Sequence, residues 1–286
     1  MSDISRRNFL KASAASVAML ALAGCTTAAK PEEKEEPKPR KVRAAVCSPT
    51  GGTMNATWLL ADRLSTDVEM IDQTSKDSRK DEITFAKDEL AIMAAPSYAG
   101  KIPYLPDLFA NLKGDGTPCV LVCAFGNRAC ENNFAQMKAI AEDNGFVVVG
   151  AIALVTPHVL GAKAGHSRPD LEDQKEIQTF AESVLAKLES GSLTSISVEG
   201  DPSRGEKYES AVEKVYRPEN CTNCKACVVN CPGGAIDPDT LEIDPALCVH
   251  CQRCSHVCLF NARTYMANRE GVDDKYFGRK PITYIV

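Results

Sequence analysis

Several absences narrow this 286-residue chain before any motif is read. It has no excess of basic residues: 33 Lys and Arg stand against 38 Asp and Glu, a net charge of −5. No nucleic-acid partner is therefore expected, since one needs a basic patch. It has no apolar run of the roughly 20 residues that a membrane-spanning helix requires. Aromatic residues are scarce, at 6%. The single tryptophan, Trp58, lies inside a helical stretch and is expected in the core. No paired acid and base stands out as catalytic machinery. What remains is ordinary globular material, 44% hydrophobic and 25% charged, in a chain long enough for two modest domains.

The cysteines are what is there. There are thirteen, eight of them between Cys221 and Cys258; the others are Cys25, Cys47, Cys119, Cys123 and Cys130. A dispersed disulfide framework does not cluster this way. Cys221-x2-Cys224-x2-Cys227-x3-Cys231-Pro232 is followed by Cys248-x2-Cys251-x2-Cys254-x3-Cys258, with Leu259 in place of the proline. A tight C-x-x-C-x-x-C loop turns three thiolates to one face, and its backbone N–H groups point at the sulfides of a cubane. The fourth cysteine, expected at the start of a short helix, reaches the other cluster. The spacing therefore assigns Cys221, Cys224, Cys227 and Cys258 to one [4Fe–4S] cluster. Cys248, Cys251, Cys254 and Cys231 go to a second. Zinc knuckles do not need the third and fourth cysteines, and residues this close make poor disulfides. Between the runs, Gly233 to Ile236 reads as a short helix and Leu241 to Ile243 as a small strand. His250 and His256 are expected to be solvated loop residues.

The N-terminus reads as an address. Ser5-Arg6-Arg7-Asn8-Phe9-Leu10-Lys11 matches the twin-arginine export motif, and Ala12 to Gly24 is a weakly apolar stretch too short to span a bilayer. Leu22-Ala23-Gly24-Cys25 resembles the lipobox of bacterial lipoproteins, which implies cleavage before Cys25 and acylation of it. The prolines and mixed charges that follow suit a disordered tether.

From Val42 onward, apolar strands alternate with helices. Strands are expected at Arg43–Cys47, Val68–Ile71, Glu89–Ala95, Pro118–Ala124 and Phe146–Val155. Helices are expected over Met54–Leu64, around Phe134–Ala141 and around Ile177–Leu188. Strands without polar alternation argue an α/β doubly wound parallel sheet. The first strand-to-helix turn, Ser48-Pro49-Thr50-Gly51-Gly52-Thr53, offers hydroxyls and bare N–H groups at a helix N-terminus, a site for a phosphate dianion. Cys47, Cys119 and Cys123 read as buried small hydrophobes, Cys130 as a packed residue near this site, and His158 and His166 as solvated.

On these residues the segment resembles a flavodoxin. The resemblance implies FMN, with its phosphate on Ser48, Thr50, Gly51, Gly52 and Thr53. It also implies an aromatic from Ser97-Tyr98-Ala99-Gly100 on the isoalloxazine, and Gly126-Asn127 at its polar edge. The whole order is similar to the family of ferredoxins with a flavodoxin-like N-terminal domain, which also carries an Arg-Pro-Asp, here Arg168-Pro169-Asp170. The expected organisation is a signal peptide (1–24), a tether (25–41), the flavodoxin-like domain (42–190), a linker (191–214) and a small α+β two-cluster ferredoxin domain (215–286).

The function expected is that of a lipid-anchored extracytoplasmic electron carrier. Its partners would be the twin-arginine translocase and a redox protein or quinone-linked membrane oxidoreductase. Oxygen-sensitive clusters outside the membrane point to an anaerobic cell. Two alternatives stand beside it: an FMN-dependent reductase of a small extracytoplasmic acceptor, and a flavin-free docking module with a ferredoxin wire.

Overall fold

The computed structural model describes residues 40–286 except Ala211. Arg6, Arg7 and Cys25, on which the export and lipidation expectations rest, lie outside them. The elements are β1 (Val42–Val46), α1 (Gly52–Leu64), β2 (Val68–Asp72), β3 (Ile83–Thr84), β4 (Leu90–Pro96), β5 (Leu112–Lys113), β6 (Thr117–Phe125), α2 (Asn133–Asp143), β7 (Phe146–Val155), α3 (Leu171–Glu189), β8 (Glu213–Tyr216), α4 (Ala226–Val229), α5 (Arg253–His256), β9 (Arg263–Met266), α6 (Arg269–Lys275) and β10 (Thr283–Ile285).

Five strands pair in parallel in the order β2-β1-β4-β6-β7. Renumbered along the chain this is 2-1-3-4-5, the flavodoxin-like order, which places a ligand site outside the carboxyl ends of the strands. β6 is buried at every position, as is β4 up to Pro96. That follows from helices on both faces, which leave no side for polar residues. On one face α1 and α3 bury Leu60, Ile177, Phe180 and Val184 against Val46, Ile92 and Val122. On the other, Met137 and Ala141 of α2 join Met93, Leu121, Phe109 and Leu112. Asp170 caps α3 by accepting from the N–H groups of Glu172 and Asp173, a capping box with Asp173. Trp58 does not enter the core; it stands 50% exposed on α1, because the buried stripe of that helix runs through Thr53, Ala56, Thr57, Leu60, Ala61 and Leu64 and leaves it outside.

The last strand closes the sheet from far along the chain. β10 pairs antiparallel with β7, Tyr284 opposite Ile152. Ahead of it, Asn127 Nδ2 donates to the carbonyls of Tyr276 and Gly278, and Arg279 pairs with Asp170 at 2.6 Å.

The cysteine-rich part is small and nearly devoid of regular structure. β8 and β9 form a two-stranded antiparallel ribbon. The short helices α4 and α5 carry the third cysteine of each run, Cys227 and Cys254, and end before the fourth rather than starting at it. Gly233 to Ile236 forms turns rather than a helix, and Leu241–Ile243 contributes only a single bridge, Ile236 to Ile243. This part is latched to the sheet domain by buried arginine bonds. Arg79, 5% exposed, donates to the carbonyls of Gln73, Thr74 and Ser75 and to that of Pro232. It also makes a two-pronged pair with Asp107 at 3.0 and 3.2 Å. Arg253 bridges the Pro49 carbonyl and Asn230. Val249 and Cys251 continue the apolar core on the α2 face of the sheet.

Candidate functional site

The two cysteine loops adopt the same backbone. In the first, Asn223 (φ 57°) and Lys225 (φ 59°) are left-handed; at the matching positions of the second, so are His250 (φ 55°) and Gln252 (φ 62°). Four non-glycine residues in that region cost roughly 1–2 kcal/mol each, a strain that persists only where the surroundings enforce it and that clusters at functional sites. The bends turn N–H groups toward sulfur. Asn223 N–H donates to Cys221 Sγ at 3.4 Å, and Ala235 N–H to Cys231 Sγ at 3.2 Å.

The eight thiols surround two separate chambers. Cys221, Cys224, Cys227 and Cys258 line one, with Tyr216, Leu241, Phe260 and Arg263. Cys231, Cys248, Cys251 and Cys254 line the other, with Val249, Ile236 and Ile243. Among the described residues no three ligands converge on one point as a single ion would need. Sulfurs standing around a chamber suit a polynuclear cluster, whose irons each take one thiolate. Burial pushes the Cys251 and Cys254 thiols up. Thiolate there needs a metal to hold it, and metal binding releases the protons.

A cavity of about 420 Å³ opens at the carboxyl ends of the strands, within the size range of small-molecule sites. It collects Thr50, Gly52, Thr53, Ser97, Tyr98, Ala99 and Gly126 in one wall system. Ser48, Gly51, Gly100 and Asn127 are not in its lining. Ser48 Oγ accepts the Met54 N–H at 2.9 Å and so caps α1. The Asn127 amide is spent on the C-terminal segment, which leaves no amide for a flavin edge. Gly51 takes φ 88° at the N-cap, a conformation that opposes a side chain. Gly52 does not: a Cβ there meets Thr156 at an ordinary 3.5 Å. Gly126 is needed for contact, since a Cβ would meet the His158 backbone at 2.9 Å.

The cavity fits a flavin phosphate. The N–H groups of Thr50, Gly52 and Thr53 have no acceptor among the described residues, no acid stands in the first turn of α1, and no carboxylate lines the cavity. The remaining walls are ones the sequence analysis did not anticipate. Val272, Lys275 and Tyr276 come from α6 and its end, Tyr208 from the segment before β8, and Val249 and His250 from the second cysteine loop. His158 is not a solvated loop residue. It stacks on Tyr276 at 5.4 Å and 13°, and burial lowers its pKa against the opposing pull of Asp273, which favours the neutral ring. Its Nδ1 accepts from Leu160 N–H, which leaves the proton on Nε2. His250 is likewise enclosed, with Nδ1 2.8 Å from Lys214 Nζ. The loop Gln73 to Lys80, which follows β2, faces the cysteine domain through Arg79.

Cys123 and Cys130, expected as packed thiols, form a disulfide across the loop Phe125–Ala129. Cys47 and Cys119 are fully buried, and burial pushes both up to about 12. On the far side of the phosphate-type loop lies a groove of about 690 Å³. Among the described residues its lining includes Arg168, Arg269, His158, His256 and Cys258 and no carboxylate.

Residues 220–262 match the family model of the 4Fe-4S dicluster domain. A curated relative, the pyruvate synthase subunit PorD of Methanocaldococcus jannaschii, is 32% identical over 71 residues, 22% of this chain and 83% of that one. The chain belongs to the 4Fe-4S dicluster family. In this dicluster protein the cysteine domain follows a flavodoxin-like sheet domain, and residues 3–23 match the twin-arginine translocation pathway signal sequence, which marks it for export by that translocase. Among solved structures it is similar to a flavodoxin of Streptococcus pneumoniae at 20% identity and TM-score 0.36, over 51% of this chain and 98% of that one. A flavoprotein of Bacteroides eggerthii is similar at 13% and 0.34, over 51% and 98%. No described helix is long and apolar enough to cross a membrane.

Proposed function

We propose that the dicluster protein is an extracytoplasmic electron carrier. Its sheet domain holds FMN, and its cysteine domain holds two [4Fe–4S] clusters on Cys221, Cys224, Cys227, Cys258 and on Cys248, Cys251, Cys254, Cys231. FMN takes two electrons and releases them singly, while clusters pass one at a time. A single observation carries the reading: Val249 and His250, flanking ligands of the second cluster, form a wall of the cavity built by the phosphate-type loop. Tyr98 and Cys251 share one apolar cluster there. The inner cluster is thus the neighbour of the flavin, and the outer one, with Cys224 exposed, faces partners.

Within this reading Thr50, Gly52 and Thr53 bind the phosphate, Tyr98 and the His158–Tyr276 stack enclose the ring, and Val249 excludes water. Acylation at Cys25 would tether the exported protein to the membrane, where a redox protein or a quinone-linked oxidoreductase exchanges electrons with it. The test is cofactor content of protein purified without oxygen. About eight irons and one flavin per chain are expected. Protein that lacks flavin and does not bind added FMN leaves the docking-module alternative as the better one.

The groove favours a second reading, reduction of a small anionic acceptor. Among the described residues no carboxylate lines it, and Cys258, a ligand of the outer cluster in this reading, stands in its wall. Oxidation of the reduced protein by small oxyanions distinguishes the two.

A further inference from the structure

Arg263 opens β9 and is 4% exposed. No carboxylate pairs with it among the described residues. The contrast with Arg79 and Arg168, the other deeply buried arginines, is sharp: each of those has an aspartate. Among the described residues Arg263 makes one hydrogen bond, from Nη2 to the Leu241 carbonyl, and its Nε is buried without a partner. The guanidinium lies over the Tyr216 ring, 4.7 Å from its centre, and lines the chamber of Cys221, Cys224, Cys227 and Cys258. An arginine cannot discharge by losing a proton, and an unpaired buried charge costs several kcal/mol. Its counter-charge must come from something that the described chain does not supply.

We propose that Arg263 is the internal counter-cation of the outer cluster, the one on Cys221, Cys224, Cys227 and Cys258, and that it raises that cluster's reduction potential. A cluster with four thiolates is an anion that becomes more negative on reduction. A buried cation beside it therefore stabilises the reduced form, and burial removes the screening that would weaken the effect. Arg263 lines the chamber of the four outer thiols and is absent from the lining of the inner one. The inference rests on the two-cluster reading.

The test is a redox titration of the full chain, with each cluster followed by electron paramagnetic resonance, in wild type, Arg263→Gln, Arg263→Lys and Arg217→Gln. Arg217 is exposed, follows Tyr216 in the chain and donates to Thr264 Oγ1 at 2.9 Å. Arg263→Gln should shift the one-electron equilibrium of the outer cluster at least tenfold toward the oxidised form, about 59 mV, and move the inner cluster less. Arg263→Lys should restore most of the shift, and Arg217→Gln should change little. An unmoved outer-cluster potential in an iron-replete Arg263→Gln protein overturns the inference. Should the Gln variant lose iron, rescue by Lys supports a charge role, and loss in both variants overturns it. Iron-free wild-type protein would instead sink the two-cluster reading itself.

Discussion

Cys224, in the first cysteine loop, is exposed, whereas Cys251, at the matching position of the second, is 8% exposed and part of the sheet domain's core. The loops share their left-handed positions, so the backbone does not distinguish them. What differs is the surface against which each is set. The first lies near Val229, Leu259 and Phe260, exposed at 59%, 87% and 53%. The second lies against Tyr98 and the cavity. A duplicated motif thus yields two unlike centres because only one copy is docked, through Arg79 outside the motif and Arg253 within its second run.

The strongest way to break the comparison is to remove a ligand from the inner chamber. Cys231→Ala should abolish the inner cluster's paramagnetic signal and lower iron to about four per chain, with the outer signal retained. Loss of the outer signal instead would reverse the assignment. Next comes the flavin side. Gly52→Asp has steric room but sets a carboxylate where a phosphate dianion would lie, and should weaken FMN binding by roughly 100-fold or more, about 2.7 kcal/mol, with iron unchanged. Fluorescence titration of flavin measures this.

The docking itself is probed by Arg79→Ala. It deletes the pair with Asp107 and leaves the carbonyls of Gln73, Thr74, Ser75 and Pro232 without their donor. A cost of about 3 kcal/mol in chemical unfolding is expected, with the inner cluster becoming as accessible to chelators as the outer.

The parts of this architecture visible in sequence are those written in local periodicity. Phe146–Val155 reads as a buried strand from its unbroken apolar run, and the doubled cysteine spacing carries the dicluster reading. Hidden were the features made by contacts between distant segments. A three-residue strand such as β10 has no pattern long enough to register. Arg79 reads as one more surface charge, because its partners are mainly backbone carbonyls, which carry no sequence signal. Tyr276 and His158 meet only once the chain has returned from the cysteine domain. The Cys123–Cys130 bond joins a strand to the loop after it, and each cysteine alone looks like packing.

The smallest expected effect concerns the returning segment. Arg279, and secondarily the N–H of Asp173, hold the Asp170 carboxyl below its usual range. A carboxyl lowered in the folded state contributes stability that is present above its unfolded value near 3.9 and is lost as the pH falls through the folded one. Hydrogen exchange of Thr283–Ile285, corrected for intrinsic rates, should therefore be flat from about pH 8 to 5 and accelerate below about pH 4. Arg279→Gln should remove most of that dependence.

The central claim is that the flavin's immediate partner is the inner cluster. The most direct measurement is the rate at which pre-reduced flavin is reoxidised within the protein. It is followed by rapid mixing in wild type, Cys231→Ala and Cys258→Ala. The rate should collapse in Cys231→Ala and persist for the first electron in Cys258→Ala. Equal rates in the two variants, or a collapse only in Cys258→Ala, would contradict it.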